Sequence, residues 1–275
     1  MDNSALNIVV LVKHVPDAQI DRHLTAPGNT ISRAESILSE LDEYPLEAAL
    51  QLAEERGGKA AGNQVTAVTM GPAGAVAAVK KALQIGAYEG VHLSDEALAG
   101  SDAAATSLAL AALIRHLGPV DLVLTGMSST DGETSLVPAQ LAARLELPQV
   151  TFAATLEITS DGGAGGGQKV AARRDGDTYA ETVEAVLPAV VSVTDQINEP
   201  RYPNFKGIMA AKKKTVTTLS LADIGVDPAQ VGSAGSWTAV ESAEPRPART
   251  AGTIITDDGG AGVALVDFLA AHKLL

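Results

Sequence analysis

The chain has 275 residues, of which 46% are hydrophobic and 3% aromatic, and its formal net charge is -13. Because it contains no cysteine, disulfides, thiolate catalysis, iron–sulfur clusters and cysteine-ligated zinc are excluded, and a redox role would need an organic cofactor. The negative charge argues against nucleic-acid binding, since affinity for a phosphate backbone comes chiefly from Lys and Arg.

No apolar run approaches the roughly 20 residues that a membrane-spanning helix needs, so we expect a protein that is not embedded in a membrane. The residues from Met1 to Leu6 lack a basic region followed by an apolar one, and Asn7 to Lys13 is too short for a signal peptide. We therefore expect a cytoplasmic protein.

The first half of the chain alternates apolar, β-rich runs with helical patterns. The predicted strands are Asn7 to Lys13, Gln64 to Met70, Val91 to Leu93, Val120 to Thr125 and Val150 to Ala153. The predicted helices are Asp42 to Arg56, Ala73 to Ile85, Ala103 to Leu117 and Thr134 to Leu145. This alternation predicts right-handed crossovers and an open, mostly parallel, Rossmann-like α/β sheet.

The second half predicts a β-hairpin excursion followed by less regular structure. A Gly-rich stretch at 160–167 precedes the strand-like run Lys169 to Arg174, and Leu187 to Thr194 is predicted to be another buried strand. The segment 195–209 contains two prolines and a glycine and is predicted to be a long surface loop.

The C-terminal part begins with Lys212 to Lys214, a basic run that is more often a solvated face than a site. Val216 to Leu221 is predicted to be a strand. The segment from Asp227 to Gly260 is rich in Gly, Pro, Ala and acidic residues, which indicates an arm or linker. Val263 to Leu275 is predicted to close the chain as a helix.

Ligands of open parallel sheets bind beyond the carboxyl ends of the strands. The loops at those ends are Lys13 to Asp17, Gly71-Pro72 and Gly126 to Thr134. The last joins a strand to a helix through small polar residues, so its backbone N–H groups and hydroxyls could face a phosphate. Alternatively, Thr130 or Asp131 is only a helix cap. A Walker A loop and a GxGxxG fingerprint are both missing.

The sequence contains no recognisable catalytic or metal-binding constellation. A GxSxG elbow is missing, and the five histidines show no HExxH or paired spacing. We therefore expect no catalytic residue, no metal site and no enzyme activity of this chain alone.

The predicted loop at 195–209 is also a candidate binding surface. It contains Tyr202, Phe205, Ile208 and Met209 in a proline-bounded segment of a chain with few aromatics. Exposed aromatic residues beside a rigid turn suit a binding anchor. The alternative is that Phe205 folds back into the core.

Several segments resemble the β subunit of electron-transfer flavoproteins. The most specific is LPAVVSVTDQINEPRYPNFKGIMAAKKK, from Leu187 to Lys214, which is similar to the family's LPAVV, NEPRY and IM.AKKK signature. The other matches are VLVKHVPD from Val10, DEYPLEAA from Asp42, AVTMGP from Ala67, DLVLTG from Asp121, LPQVTF from Leu147 and RTAG from Arg249. Together they cover nearly the whole chain in order.

The resemblance implies a sheet of the adenine-nucleotide-binding type and a heterodimer with an α subunit that holds most of one FAD. It also implies electron transfer from acyl-CoA dehydrogenases or related flavin dehydrogenases to a quinone oxidoreductase or other acceptor. A structural AMP is implied in this subunit. The matching positions are Leu11, Ser39, Glu40, Leu41, Asp42, Met70, Gly126, Ser128, Ser129, Thr130, Asp131, Gly132, Glu133, Thr134, Ser135 and Val137.

The family's partner-recognition loop maps onto residues 195–213, and its apolar anchor, usually Leu, falls on Phe205. The candidate recognition residues are Arg201, Tyr202, Phe205, Ile208 and Met209. The resemblance implies one nucleotide-binding-type domain over 1–214, which includes this loop, and a C-terminal arm and helix over 215–275 that pack on the α subunit.

A rival hypothesis is an adenine-nucleotide-binding enzyme or sensor of the same fold, such as an ATP-pyrophosphatase or a universal-stress-like protein. Such a protein would need a loop that grips a triphosphate, and no SGGxDS-type loop follows the first predicted strand. Electron transfer between flavins needs proximity and no protein acid or base. The missing catalytic constellation therefore favours the electron carrier.

Overall fold

A computed structural model describes residues 4–25, 29–160, 167–244 and 247–275 of the chain. The chain divides into two compact units, Met1–Val240 and Glu241–Leu275. Most of the predicted Gly-rich turn, at 161–166, lies outside the described residues.

The strands are β1 (Asn7–Leu11), β2 (His14–Pro16), β3 (Leu24–Thr25), β4 (Thr30–Ile31), β5 (Ser36–Leu38), β6 (Gln64–Met70), β7 (Glu89–Leu93), β8 (Leu122–Gly126), β9 (Gln149–Ser160), β10 (Gln168–Asp175), β11 (Ala180–Val186), β12 (Ala189–Val193) and β13 (Val216–Leu219). The helices are α1 (Glu40–Glu55), α2 (Val76–Ile85), α3 (Ala103–His116), α4 (Val137–Leu145), α5 (Phe205–Ala211), α6 (Gly232–Gly235) and α7 (Ala261–Ala271).

The first unit is built on a nine-stranded sheet with the order β11-β10-β9-β12-β8-β1-β6-β7-β13. The seven strands from β9 to β13 in this order pair in parallel, whereas β10 and β11 form an antiparallel hairpin on β9. The predicted fold class, a mostly parallel α/β sheet with a hairpin excursion, is confirmed.

Apolar cores cover both faces of the sheet, as crossover helices require. Successive residues of β1 point to opposite faces, so Ile8 and Val10 join one core while Val9 joins the other. Helices α1 and α2 supply the first core with residues such as Leu46, and α3 and α4 supply the second with residues such as Leu113. The helices thereby cover both faces of the sheet, and the loops lie at its carboxyl edge.

Some predicted boundaries were wrong for identifiable reasons. Helix α4 begins at Val137 and not at Thr134, because Glu133 and Ser135 have φ angles of 51° and 52°, which no α-helix contains. The loop predicted over 195–209 ends in helix α5. The Asn204 side chain caps this helix by accepting a hydrogen bond from the Gly207 N–H at 2.8 Å.

The C-terminal part of the first unit extends beyond the predicted domain end at residue 214. Strand β13 pairs with β7 at the edge of the main sheet, and the first unit continues to Val240. The second unit contains α7, whose apolar side chains are exposed within that unit. They include Val263, Leu265, Val266 and Phe268.

Candidate functional site

A cavity opens where the strand order of the sheet reverses. From β1 the chain continues to β6 and β7 on one side, and then returns to β8 on the other side of β1. Such a switch point, at the carboxyl ends of the strands, is where open α/β sheets bind ligands. The cavity is lined by Leu11, Val12, Lys13, Asp42, Val68, Met70, Thr106, Leu110, Thr125, Gly126, Met127, Ser128, Ser129, Thr134, Ser135, Val137 and Pro138.

Nine of the sixteen predicted nucleotide-binding residues line this cavity. They are Leu11, Asp42, Met70, Gly126, Ser128, Ser129, Thr134, Ser135 and Val137. The other seven lie at the start of α1 or in the loop after β8, without lining the cavity. They are Ser39, Glu40, Leu41, Thr130, Asp131, Gly132 and Glu133. Sequence reasoning missed part of the apolar wall, such as Leu110 of α3, because a buried helical Leu carries no ligand-binding signal.

Gly126 allows the end of β8 to approach the start of α1. A Cβ at this position would lie 2.6 Å from the carbonyl oxygen of Leu41 and 2.9 Å from Oδ1 of Asp42, closer than side-chain atoms pack. The two segments that line the cavity on this side therefore meet only because residue 126 is glycine.

The Asp131 carboxylate holds two cations beside the cavity. Lys13 Nζ lies 2.8 Å from its Oδ1 and Arg33 Nη2 lies 2.6 Å from its Oδ2, while the Asp131 side chain is only 3% exposed. Burial alone would raise the pKa of Asp131, but the charge of Lys13 and the hydrogen bonds from Lys13, Arg33 and Ser129 outweigh burial and hold that pKa well below its ordinary range. Asp131 is therefore ionised whenever the protein is folded near neutral pH.

The alternative that Thr130 or Asp131 caps the following helix is wrong. The N-cap position of α4 is Leu136, and no side chain caps that helix. The loop instead folds on itself, since the Glu133 N–H donates to the Ser129 carbonyl at 2.9 Å and the Gly132 N–H donates to the Ser129 hydroxyl at 3.3 Å.

Hydroxyl groups near the cavity lack partners within the part of the chain that the structure describes. The side-chain oxygens of Ser39, Ser128 and Thr130 are buried and make no hydrogen bond there. Buried polar atoms are satisfied in the large majority of cases, so unpartnered hydroxyls beside a cavity indicate a ligand with polar groups. The cavity thus combines an unpartnered hydroxyl, that of Ser128, with an apolar wall that includes Leu11 and Met70.

Asp42 is the second carboxylate of the site, and its environment is the opposite of that of Asp131. It is 7% exposed and accepts a hydrogen bond from the Lys13 backbone N–H at 2.7 Å. Burial raises the pKa of Asp42 to about 7, although the Lys13 N–H and charge act against this shift. Asp42 thus changes protonation close to neutral pH.

The predicted recognition residues lie together on the loop before and within α5. Tyr202 is 91% exposed, Phe205 80% and Met209 43%, while Ile208 is half-buried. The alternative in which Phe205 folds into the core is therefore wrong. Arg201, in contrast, turns towards α1 and pairs with carboxylates there.

The comparison with known proteins decides the family. A model of the electron transfer flavoprotein domain matches residues 29–224. Over 271 residues, the chain is 45% identical to "Electron transfer flavoprotein subunit beta" of Mycobacterium leprae (strain TN), which covers 98% of this chain and 99% of the relative. The chain belongs to the electron transfer flavoprotein family.

Two more distant relatives are consistent with this membership. The chain is 36% identical to "Electron transfer flavoprotein subunit beta" of Thermoanaerobacterium thermosaccharolyticum and 35% identical to "Caffeyl-CoA reductase-Etf complex subunit CarD" of Acetobacterium woodii. In both cases the match covers 91% of this chain and 92% of the relative. The predicted electron transfer flavoprotein β-subunit role is confirmed.

The described ranges of this electron transfer flavoprotein chain hold no cluster of three His, Asp or Glu residues placed to bind a metal ion. Within the same ranges, no helix is both long and apolar enough to cross a membrane.

Proposed function

We propose that this chain pairs with an electron transfer flavoprotein α subunit, and that the heterodimer holds FAD mainly on the α subunit. The heterodimer carries electrons from flavin dehydrogenases, such as acyl-CoA dehydrogenases, to a quinone oxidoreductase or another acceptor. The observation that carries this proposal is the 45% identity to a named β subunit over nearly the full length of both chains. FAD supplies the electron-carrying chemistry when bound, so this chain needs no catalytic side chain of its own.

We further propose that the cavity at the carboxyl ends of β1, β6 and β8 holds AMP as a structural ligand. Its support is the fit between the ligand and the residues. The unpartnered hydroxyl of Ser128 suits a phosphate oxygen, and Leu11 and Met70 suit an apolar base. Asp131 contributes indirectly, because its carboxylate fixes the positions of cations beside the loop.

The exposed residues Tyr202, Phe205 and Met209 form the proposed contact surface for the dehydrogenase. Large apolar side chains that remain in water are costly unless a partner covers them, and aromatic residues dominate binding energy at interfaces. By the same reasoning, the exposed apolar residues of α7 suit docking on the α subunit. The cytoplasmic location and the absence of an independent enzyme activity stay predictions.

Co-expression with a candidate α subunit tests the pairing. We expect a yellow complex with flavin absorbance that purifies as a heterodimer. A colourless chain that never associates with any family α subunit would contradict the proposal.

Identification of the adenine nucleotide in an acid extract of the purified complex tests the AMP proposal. We expect AMP, and isothermal titration of nucleotide-free protein should show a preference for AMP over ATP. Binding of ATP with turnover by this chain alone would favour the rival nucleotide-binding enzyme.

A further inference from the structure

Two ion pairs, Arg201–Glu47 and Arg201–Glu54, attach the recognition loop to helix α1, and we call them together the Arg201 fork. The Arg201 guanidinium donates from Nε to Glu47 Oε2 at 2.6 Å and from Nη2 to Glu47 Oε1 at 3.0 Å. The same group donates from Nη1 and Nη2 to the two carboxylate oxygens of Glu54, at 2.6 and 2.9 Å. One planar cation thus makes two bidentate pairs, which fix both the position and the orientation of the side chain.

The two carboxylates of this fork are held in different ways. Glu47 is 5% exposed at its side chain and also accepts a hydrogen bond from Gln51 Nε2 at 2.8 Å. Glu54 is 51% exposed, and the hydrogen bond from Arg201 lowers its pKa despite some burial. The loop is also attached through Asn198, whose Nδ2 donates to the Tyr44 carbonyl at 3.0 Å.

Beyond Arg201, the loop is fixed a second time where α5 meets α2. A Cβ on Gly207 would lie 2.7 Å from the Gln84 carbonyl oxygen, so the two backbones approach as closely as they can at this point. Tyr202 and Phe205 lie between the Arg201 fork and this contact, and both point into solvent. The most exposed side chains of the loop therefore stand between two rigid attachments.

We propose that Glu47 and Glu54 are positioning residues for partner recognition, because the fork that they form with Arg201 fixes the base from which Tyr202 and Phe205 project. The inference rests on the proposed recognition role of this loop. A loop that is already ordered loses less conformational entropy when a partner binds, so the fork strengthens binding without touching the partner. It is built from residues that lie about 150 positions apart in the chain.

The experiment uses the complete heterodimer with its flavin, and an acyl-CoA dehydrogenase supplied with its acyl-CoA as the electron donor. We expect Glu54→Gln to raise the KM for the heterodimer roughly tenfold and to leave kcat within about twofold. Arg201→Lys keeps the charge but cannot satisfy two carboxylates, and it should raise KM similarly. Flavin content, thermal unfolding and reduction by dithionite should stay unchanged in Glu54→Gln, since none of them depends on the loop.

Glu55→Gln is the matched control, because it removes one negative charge from the next, exposed position of α1. An unchanged KM in this variant supports the fork, whereas a rise equal to that of Glu54→Gln would overturn the inference in favour of a general charge effect. Glu47→Gln should raise KM at least as much as Glu54→Gln, provided that its thermal unfolding matches that of the unmodified complex.

Phe205→Asp separates this inference from the recognition proposal. If Phe205→Asp raises KM but Glu54→Gln and Arg201→Lys do not, the positioning role is overturned and the recognition role stands. If none of these variants changes KM, both fail. A double variant Phe205→Asp/Glu54→Gln whose KM is less than the product of the two single effects supports the inference, because the fork then acts through Phe205, whereas fully multiplicative effects would overturn it.

Discussion

The cavity and the loop that leads into α5 differ in which of their polar and apolar groups are buried. In the cavity, the hydroxyl of Ser128 is buried without a partner among the described residues, and apolar side chains form the wall. In the recognition loop, the polar anchor Arg201 is turned inwards while Tyr202 and Phe205 are exposed. Helix α1 serves both regions, since its first turn supplies Asp42 to the cavity and its middle supplies Glu47 to the loop.

This difference predicts which properties of the protein change when each region is mutated. A change in the cavity disturbs buried charges and packing, so it should alter stability and ligand content together. A change at the tip of the loop removes only a surface that a partner would cover, so it should alter partner kinetics and leave folding intact. The following predictions test whether the two regions separate in this way.

The largest expected effect comes from Asp131→Ala, beside the cavity. This change leaves Lys13 and Arg33 without their shared anion, and we expect a loss of about 2 kcal/mol in the free energy of unfolding. The loss is moderate for an ion pair because both cations can still reach water. We also expect most of the AMP to be lost during purification, as measured in an acid extract.

Asp175→Ala is the control for this prediction, since Asp175 pairs with Arg173 at 2.7 Å on the exposed hairpin. It should change neither the AMP content nor the unfolding midpoint. An unchanged AMP content in Asp131→Ala would remove Asp131 from the nucleotide site and leave it a purely structural anion.

The next effect belongs to the loop. Phe205→Asp should weaken the encounter with the dehydrogenase by about 2 kcal/mol, which corresponds to a roughly thirtyfold rise in KM. Flavin content and thermal unfolding should not change, because Phe205 is 80% exposed. Lys206→Ala, at the next exposed position, is the control. Reduction of Phe205→Asp at the unmodified rate would show that another residue is the anchor.

Gly207→Ala should give a smaller effect that links packing to recognition. The added Cβ would meet the Gln84 carbonyl oxygen at 2.7 Å, so α5 must shift away from α2. We expect a loss of about 1 kcal/mol of unfolding free energy and a rise in KM smaller than that of Phe205→Asp. Gly74→Ala, where nothing lies within 4 Å of an added Cβ, should leave both quantities unchanged. A normal KM in Gly207→Ala would mean that the α2 contact does not position the anchor.

The amino-acid sequence predicts the sheet and the place of the cavity well. Buried parallel strands such as β1 and β12 are short, nearly continuous apolar runs rich in Val, and this composition identifies them without any tertiary information. The cavity then follows from the rule that ligands bind at the carboxyl ends of such strands. For this reason the sequence alone predicts the loop after β8 as a ligand-binding loop.

The rest depends on contacts that no local pattern encodes. Arg33 meets Asp131 from 98 positions away, and Arg201 meets Glu47 from 154 positions away. Residues so far apart in the chain leave no local sequence pattern from which either pair could be predicted. The positive φ angle of Glu133 is likewise set by tertiary contacts, because Glu by itself favours a helical conformation. The aromatic and apolar residues of the loop at 195–209 indicate a binding surface, and the family resemblance implies partner recognition there. That Phe205 is exposed depends on the fold.

The smallest expected effect is a pH dependence of stability that involves the cavity and not the loop. In the folded chain the pKa of Asp42 is about 7, against an ordinary value near 4, so between these values the folded state keeps a proton that the unfolded state has lost. Stability should therefore fall as pH rises, by about 1 kcal/mol between pH 6 and 8, and Asp42→Asn should abolish this part of the slope in urea unfolding. The loop should not respond in this range, because the pKa of Glu54 is lowered and its ion pair is lost only in acid. If the unfolding free energy of Asp42→Asn depended on pH as steeply as that of the unmodified protein, the prediction would be contradicted. If KM changed with pH in step with stability, the cavity and the loop would be coupled through α1.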